Sequence, residues 1–215
     1  MEEKTLLLKF KTNTLSLLLE YLFLVVVQQV LFRTITDNDL LYPIETVVSI
    51  IGTLVLIWTA HQFPYSNKLE KRKSKYWWKI SWGLGGVVLV LAVQRLLLLI
   101  ETNILHQPAI SENTGQLFAV VAKYSYYVIV IVLTQPIIEE LIYRKLLFGN
   151  FTYWFRPWQT ALLSSLLFAL GHGDGHFLTY TGIGLVLCLV YEKTGKIQES
   201  MLTHVLMNAI ILIIH

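Results

Sequence analysis

The sequence predicts an all-α protein that crosses a membrane several times as a helical bundle. Of its 215 residues, 55% are hydrophobic and only 14% are charged, and the mean hydropathy is +0.59. Soluble domains usually carry about 25% charged residues. Several apolar runs also reach the length of about 20 residues that a helix needs to cross the hydrocarbon layer. We therefore expect one integral-membrane domain over residues 1–215.

Hydrophobic periodicity places seven helices in this domain, at roughly 13–33, 44–63, 77–100, 117–149, 158–172, 177–192 and 198–214. The fourth segment is longer than one crossing, and Pro136 removes a backbone donor in its middle. We therefore expect a kink or break just before Glu139 and Glu140. The fifth and sixth segments are short, which favours a hairpin whose glycine-rich turn, residues 171–176, ends before it reaches the outer surface.

Basic residues indicate the orientation of the bundle. They concentrate in the loop of residues 66–75 and recur at Arg156, Lys193 and Lys196, which the positive-inside rule assigns to the cytoplasm. The net charge is only +3, and the basic residues follow loops instead of one continuous face, which argues against nucleic acid as a partner. Cys188 is the only cysteine, so an intrachain disulfide and a cysteine-rich zinc site are excluded.

The first candidate functional group is formed by Glu139, Glu140 and Arg144, which interrupt an apolar run. Ionisable residues at membrane depth are costly and usually mark a functional site. Residues at i and i+4 share a helix face, so we expect Glu140 to pair with Arg144 and to remain ionised. Glu139 is then left as the general base for a water molecule. The alternative is a salt bridge at the cytoplasmic edge that performs no chemistry.

Two further pairs have the same spacing, Phe168 with His172 and His204 with Asn208. The helical rise places Glu139, His172 and His204 about 15, 22 and 10 Å from their cytoplasmic ends, so with tilt they can meet in one cavity that opens to the cytoplasm. His172 would orient or polarise the water, and His204 and Asn208 would donate hydrogen bonds to an oxyanion. The alternatives are a structural histidine and an interhelical polar clasp.

Zinc is an alternative to this metal-free site. Glu139, His172 and His204 form a two-histidine, one-carboxylate set that zinc could use. We expect no metal, because the sequence has no HExxH motif and Asn208 is a better hydrogen-bond donor than zinc ligand. Serine catalysis is disfavoured as well, because no GxSxG elbow is present.

The three motifs together resemble the CPBP family, which comprises CAAX prenyl proteases and bacteriocin-processing enzymes and is also called the Abi family. They are EExxxR from Glu139, FxxxH from Phe168 and HxxxN from His204, in that order on successive helices. Residues 117–215 would be the catalytic core, whereas residues 1–116 contain no motif of the family. Lys145 departs from the glycine frequent after the arginine, and Tyr143 from the phenylalanine frequent before it.

The resemblance implies a membrane protease with a cytoplasm-facing site and no obligatory metal. It implies that Glu139 activates water with the help of His172, and that His204 and Asn208 form the oxyanion hole. Glu140 and Arg144 would have supporting roles.

The expected substrate is a peptide precursor or the terminus of a membrane protein, such as a bacteriocin, a signalling peptide or a CAAX-like sequence. The expected location is the bacterial plasma membrane, with the lipid bilayer as surroundings. The alternative is a non-proteolytic membrane protein that confers bacteriocin immunity or regulates a sensor kinase, with the same residues as a structural polar core.

Overall fold

The computed structural model of the protein describes residues 2–71, 75–109 and 111–214. Arg72, Lys73 and Ser74 of the predicted basic loop lie outside the described residues. The described chain forms eight helices and no strand: α1 Glu2–Thr34, α2 Asn38–Gln62, α3 Tyr76–Asn103, α4 Glu112–Lys123, α5 Ser125–Tyr153, α6 Pro157–His172, α7 Phe177–Thr194 and α8 Ile197–Ile214.

Five of these helices, α1, α2, α3, α5 and α8, are long and apolar enough to cross a membrane. Many large apolar side chains on them are exposed, among them Phe23, Trp58 and Val88, as expected for surfaces that face lipid. The predicted all-α membrane bundle is confirmed. The short predicted hairpin is present as α6 and α7, and α6 ends at Gly173, whose φ of 63° places it in the left-handed region.

The predicted helix over residues 117–149 is wrong as a single element. The chain breaks at Tyr124, which has φ −123° and ψ 78° and separates α4 from α5. At Pro136 the helix continues instead of breaking. The residues just before the proline, Val130–Thr134, form a π-helical turn in which the Gln135 N–H donates to the Val130 carbonyl, five residues back. This wider turn accommodates the missing proline donor without interrupting α5.

Helix α5 lies at the centre of the bundle, because α1 and α2 pack on one side of it and α6 and α8 on another. Its second half, Glu140–Gly149, is again π-helical. Helix α7 packs against both α3 and α6. One apolar cluster joins α1, α2 and α5, and a second joins α3, α6, α7 and α8. The polar side chains of the EExxxR motif therefore stand between two apolar cores.

Side-chain contacts distinguish the two ends of the bundle. At the basic end, which comprises residues 62–71, 154–157 and 193–197, Lys145 Nζ lies 2.6 Å from Glu70 Oε2, and the Asn67 amide donates to Tyr191. At the opposite end, which comprises residues 34–38, 103–109, 111–125 and 172–177, Glu101 accepts hydrogen bonds from the backbone N–H groups of Leu178 and Thr179. These contacts set the start of α7, and with it the α6–α7 turn, against α3.

Candidate active site

Glu140 is the most constrained residue of the site. Its carboxylate is fully buried. Oε1 lies 3.3 Å from Arg144 Nη1 and accepts a hydrogen bond from His204 Nδ1 at 3.0 Å. The hydroxyl of Ser200 donates to Oε2. Partners on both oxygens hold the carboxylate in one orientation, and the predicted pairing of Glu140 with Arg144 is present.

Arg144 links the EExxxR helix to the FxxxH helix. Its guanidinium is fully buried and lies over the ring of Phe168, with 4.3 Å from Cζ to the ring centroid. Its ion pair with Glu140 is close, yet none of the guanidinium nitrogens makes a hydrogen bond of good geometry. The charge is therefore compensated by the carboxylate and by the π face of Phe168. This contact explains why an aromatic residue precedes His172 by one helical turn.

His204 stands between the two glutamates. Because Nδ1 donates to the Glu140 carboxylate, this nitrogen carries a proton. Nε2 points the other way and lies 3.7 Å from Glu139 Oε2. The side chain of Glu139 is 23% exposed, whereas that of Glu140 is not exposed at all. The neighbouring carboxylates thus occupy different environments, with Glu139 the accessible one.

Asn208 is positioned by the irregular turn before Pro136. Its Nδ2 donates to the Ile131 carbonyl at 3.0 Å. In a regular helix that carbonyl would accept from Gln135, but the Gln135 N–H is committed to Val130. The next residue, Pro136, has no N–H. Asn208 therefore satisfies a carbonyl that the π-helical turn releases, and its second amide hydrogen remains for another acceptor.

His172 is fixed at the end of α6 by two contacts. Its Nδ1 donates to the Phe168 carbonyl at 2.9 Å, which leaves Nε2 as the free ring nitrogen. Its ring stacks on Tyr180, with 3.9 Å between the centroids and 24° between the planes. The Tyr180 hydroxyl donates to Asp174 at 2.9 Å. Helix α7 thus presents the aromatic platform on which the α6 histidine rests.

Glu139, His172, His204 and Asn208 line one cavity of about 600 Å³. The structure therefore brings together all four residues that the sequence singled out as catalytic, while Glu140 and Arg144 lie behind the wall. No hydrogen bond or ion pair joins His172 to Glu139 in the described residues. The arrangement leaves space between the base candidate and the histidine, and the chemical roles of these residues stay predictions.

The cavity lies in the half of the bundle away from the basic end. Its lining includes Phe32 near the end of α1, Ala109 after α3 and Ile211 near the end of α8. The sequence predicted both a cytoplasmic basic end and a site open to the cytoplasm. The cavity lies at the other end of the bundle from the basic loops, and the side of the membrane on which it opens stays a prediction.

Comparisons with known proteins agree with the motifs. Residues 121–210 match the family described as "Type II CAAX prenyl endopeptidase Rce1-like", a range that contains all six site residues. The chain is 27% identical over 214 residues to the membrane-embedded CAAX protease MroQ of Staphylococcus aureus, covering 94% of this chain and 86% of MroQ. It is 31% identical over 138 residues to the UPF0177 protein YxdF of Lactococcus lactis, covering 60% of this chain and 73% of YxdF.

The chain belongs to the CPBP family of membrane proteases. It is also 28% identical over 182 residues to YdiL of Bacillus subtilis, covering 83% of this chain and 75% of YdiL. No solved structure matches the chain. The resemblance based on EExxxR, FxxxH and HxxxN is confirmed, and the family model and the names of the relatives support a membrane endopeptidase.

The two departures from the usual CPBP pattern have structural explanations. Lys145 points away from the cavity to the basic end, where Nζ contacts Glu70 and donates to the Tyr65 carbonyl at 2.8 Å. It therefore ties the α2–α3 loop to α5. A Cβ on Gly171 would lie only 2.7 Å from the Tyr143 hydroxyl, which is too close for an ordinary contact. Gly171 thus lets the Tyr143 hydroxyl approach the α6 end beside His172.

Sequence reasoning missed two residues that hold the CPBP motifs in place. Ser200 donates to Glu140, and its position four residues before His204 would have identified it as lying on the same helix face. Tyr180 supports His172, but it follows the glycine-rich turn and has no regular spacing to the histidine. Only the packing of α7 against α6 reveals it.

Proposed function

We propose that the protein is an intramembrane endopeptidase in which Glu139 activates a water molecule to hydrolyse a peptide bond. The observation that carries this proposal is the position of His204, which lies between a buried, fully partnered glutamate and an accessible one at the wall of a cavity. A structural salt bridge alone would not require the second, accessible carboxylate. We further propose that the substrate is a peptide precursor or the terminus of a membrane protein.

Glu139 takes the proton from the attacking water. A general base must lie within hydrogen-bond reach of the water and must be free to accept a proton. Glu139 meets the second requirement, because its side chain is 23% exposed at the cavity wall and its contact with His204 Nε2 is 3.7 Å long. His172 supports the same water through Nε2, since its Nδ1 is occupied by the Phe168 carbonyl. The water would thus be held from α5 and α6 together.

His204 and Asn208 stabilise the oxyanion of the tetrahedral intermediate. The Nδ1–H of His204 is used by Glu140, so His204 can donate from Nε2 only as an imidazolium. Asn208 contributes its second amide hydrogen, because the first is bound to Ile131. Preorganised donors of this kind are worth about 10²–10³ in kcat each.

The charges of the proposed site balance. Two carboxylates, Glu139 and Glu140, face two cations, Arg144 and the His204 imidazolium. A neutral cluster avoids the large cost of an uncompensated charge in a poorly solvated interior. Arg144 therefore supports catalysis indirectly, by permitting Glu140 to stay ionised while Glu140 holds His204.

We propose that this chemistry requires no metal, with zinc as the alternative. The described residues contain no group of three His, Cys, Asp or Glu side chains placed to hold a metal ion. The candidate zinc set is Glu139, His172 and His204, in which His204 Nε2 lies 3.7 Å from Glu139 Oε2 and His172 Nδ1 donates to the Phe168 carbonyl. If activity is lost on chelation and recovers with zinc, the protein uses a metal. If activity is insensitive to chelation, Glu139 activates the water without a metal.

We also propose that the cavity is reached from the outer face of the membrane. Its lining extends to the end opposite the basic loops, and basic loops face the cytoplasm. This reverses the cytoplasmic opening expected from the sequence. A substrate would then be processed at or after its translocation.

The cellular test compares peptides from strains that carry the native protein or Glu139→Gln at equal abundance. An unprocessed peptide should accumulate in the Glu139→Gln strain, and the shortened product should disappear. Glu20→Gln is the matched control, because Glu20 is a carboxylate on α1 that does not line the cavity. Identical peptide profiles for the native and Glu139→Gln strains would contradict the proposal.

A further inference from the structure

A second polar region lies in the same cavity, away from the catalytic residues. Glu45 on α2 and Gln94 on α3 both line it. These helices precede residues 121–210, the part of the chain that matches the family. A carboxylate and an amide at this depth need a partner, because unsatisfied polar groups are costly where water is scarce.

The hydrogen bonds to the Glu45 carboxylate satisfy only part of its capacity to accept them. Its side chain is 1% exposed, and its Oε1 accepts a hydrogen bond from Gln28 at 3.1 Å. The Tyr127 hydroxyl also approaches this carboxyl group as a hydrogen-bond donor, but no donor reaches Oε2 with good hydrogen-bond geometry. Gln94 is in the same situation, since its Oε1 is buried without a donor. Two acceptors on the wall of one cavity are therefore left unmatched.

The chemistry of the two atoms selects the ligand. Both are oxygen acceptors and one belongs to a carboxyl group, so a positively charged group rich in N–H donors is the ligand class that suits each of them. A primary ammonium or a guanidinium fits, whereas a carboxylate, phosphate or carbonyl would be repelled. In a peptide substrate, this group is a Lys or Arg side chain or a free N-terminus.

The distance to the catalytic glutamate follows from one contact between helices. Ser49 on α2 hydrogen-bonds to Thr134 on α5 at 2.7 Å, which places these residues at the same level. Glu45 precedes Ser49 by one turn, and Glu139 follows Thr134 by more than one turn. At the helical rise, the two glutamates are about 13 Å apart along the bundle. An extended peptide covers that distance in about four residues.

We propose that Glu45 and Gln94 form a subsite for a cationic group of the substrate, about three to five residues from the scissile bond. The inference rests on the proposed peptidase function, and it adds a specificity determinant from the N-terminal half of the chain. The subsite and the catalytic residues share one cavity, so a single extended peptide reaches both.

A binding assay tests the subsite independently of cleavage. The protein carries Glu139→Gln in every sample and is reconstituted in lipid nanodiscs. The probes are fluorescent, N-acetylated, leucine- and alanine-rich peptides with one central Lys, or with norleucine in its place. A third peptide has norleucine and a free N-terminus, which separates a terminal ammonium from a lysine side chain. The Lys peptide or the free-amine peptide should bind at least about tenfold more tightly than the uncharged one.

Two variants test whether the preference for the charged peptide depends on Glu45 and Gln94. Glu45→Gln keeps the shape of the side chain and should remove the preference for the charged peptide. Gln94→Leu removes the second acceptor and should weaken the preference for the charged peptide. This variant tests the subsite even if Glu45→Gln does not fold. Glu20→Gln should leave the preference unchanged, because Glu20 also has an oxygen without a partner but does not line the cavity.

A cleavage assay locates the cation relative to the scissile bond. The native protein is incubated with a library in which Lys occupies each position in turn, and products are identified by mass spectrometry. Lys should be enriched about three to five residues from the cut. Equal binding of charged and uncharged peptides, or a preference that persists in both Glu45→Gln and Gln94→Leu, would overturn the subsite. Absence of cleavage with intact selective binding would instead contradict the peptidase function.

Discussion

The adjacent residues Glu139 and Glu140 have different surroundings, because different side chains from other helices lie around them. Glu140 is enclosed by Arg144, His204 and Ser200, whereas Glu139 faces the cavity. The i, i+4 spacing was sufficient to predict the Glu140–Arg144 pair from the sequence. It was not sufficient to predict that His204 bridges both carboxylates, because that contact depends on how α8 crosses α5.

This difference predicts that Gln substitutions at Glu140 and Glu139 change the free energy of unfolding by unequal amounts. Glu140→Gln leaves Arg144 buried without its counter-charge and weakens the bond to His204, so the free energy of unfolding should fall by about 3–5 kcal/mol. Glu139→Gln should change it by less than about 1 kcal/mol, since a partly exposed side chain on the cavity wall loses little. Denaturation of both purified variants in one detergent measures the difference. Equal destabilisation by the two substitutions would contradict the assignment of a structural role to Glu140 and of the general-base role to Glu139.

Helix α5 positions the site through its irregular hydrogen bonding. Hydrophobic periodicity predicted a helix here, and Pro136 predicted a disturbance, but a helix with π-helical turns has the same apolar composition as a regular one. The sequence therefore could not show that the chain breaks at Tyr124 and remains continuous at Pro136. The consequence for function is local: the Ile131 carbonyl becomes available to orient Asn208.

Pro136→Ala tests this connection. The substitution supplies an N–H and lets α5 adopt a regular turn, so Ile131 no longer needs Asn208. Proline costs about 3 kcal/mol relative to alanine inside a helix, so thermal stability should be maintained or raised. Peptidase activity should fall about tenfold or more, because a misplaced donor is a poor oxyanion ligand. Native activity combined with native or higher stability would contradict a role for the π-helical turn.

At the scale of the whole molecule, the catalytic motifs come from the C-terminal half, but the cavity is completed by the N-terminal half. Helices α1, α2 and α3 contribute Gln28, Glu45 and Gln94 to its wall. Composition and apolar runs predicted the membrane bundle correctly, because burial in lipid imposes strong requirements on composition. They could not predict where the cavity lies, since this depends on contacts between residues far apart in the chain.

The outer opening of the cavity is tested by labelling intact cells with a membrane-impermeant maleimide. A Cys188→Ser background removes the only native cysteine, which is itself buried. Ala109→Cys, at the exposed edge of the cavity lining, should be labelled on intact cells. Lys68→Cys, exposed at the basic end, should be labelled only after permeabilisation. The reverse pattern would place the cavity on the cytoplasmic side.

The most direct test of the central claim is peptide hydrolysis by the purified protein. Membrane fractions from a strain lacking the protein are incubated with native protein, Glu139→Gln or Glu20→Gln, and the new peptide termini are identified by mass spectrometry. Native protein and Glu20→Gln should generate the same termini, and Glu139→Gln should generate them at least about 100-fold more slowly. Cleavage by Glu139→Gln at the native rate would contradict Glu139 as the base that activates water.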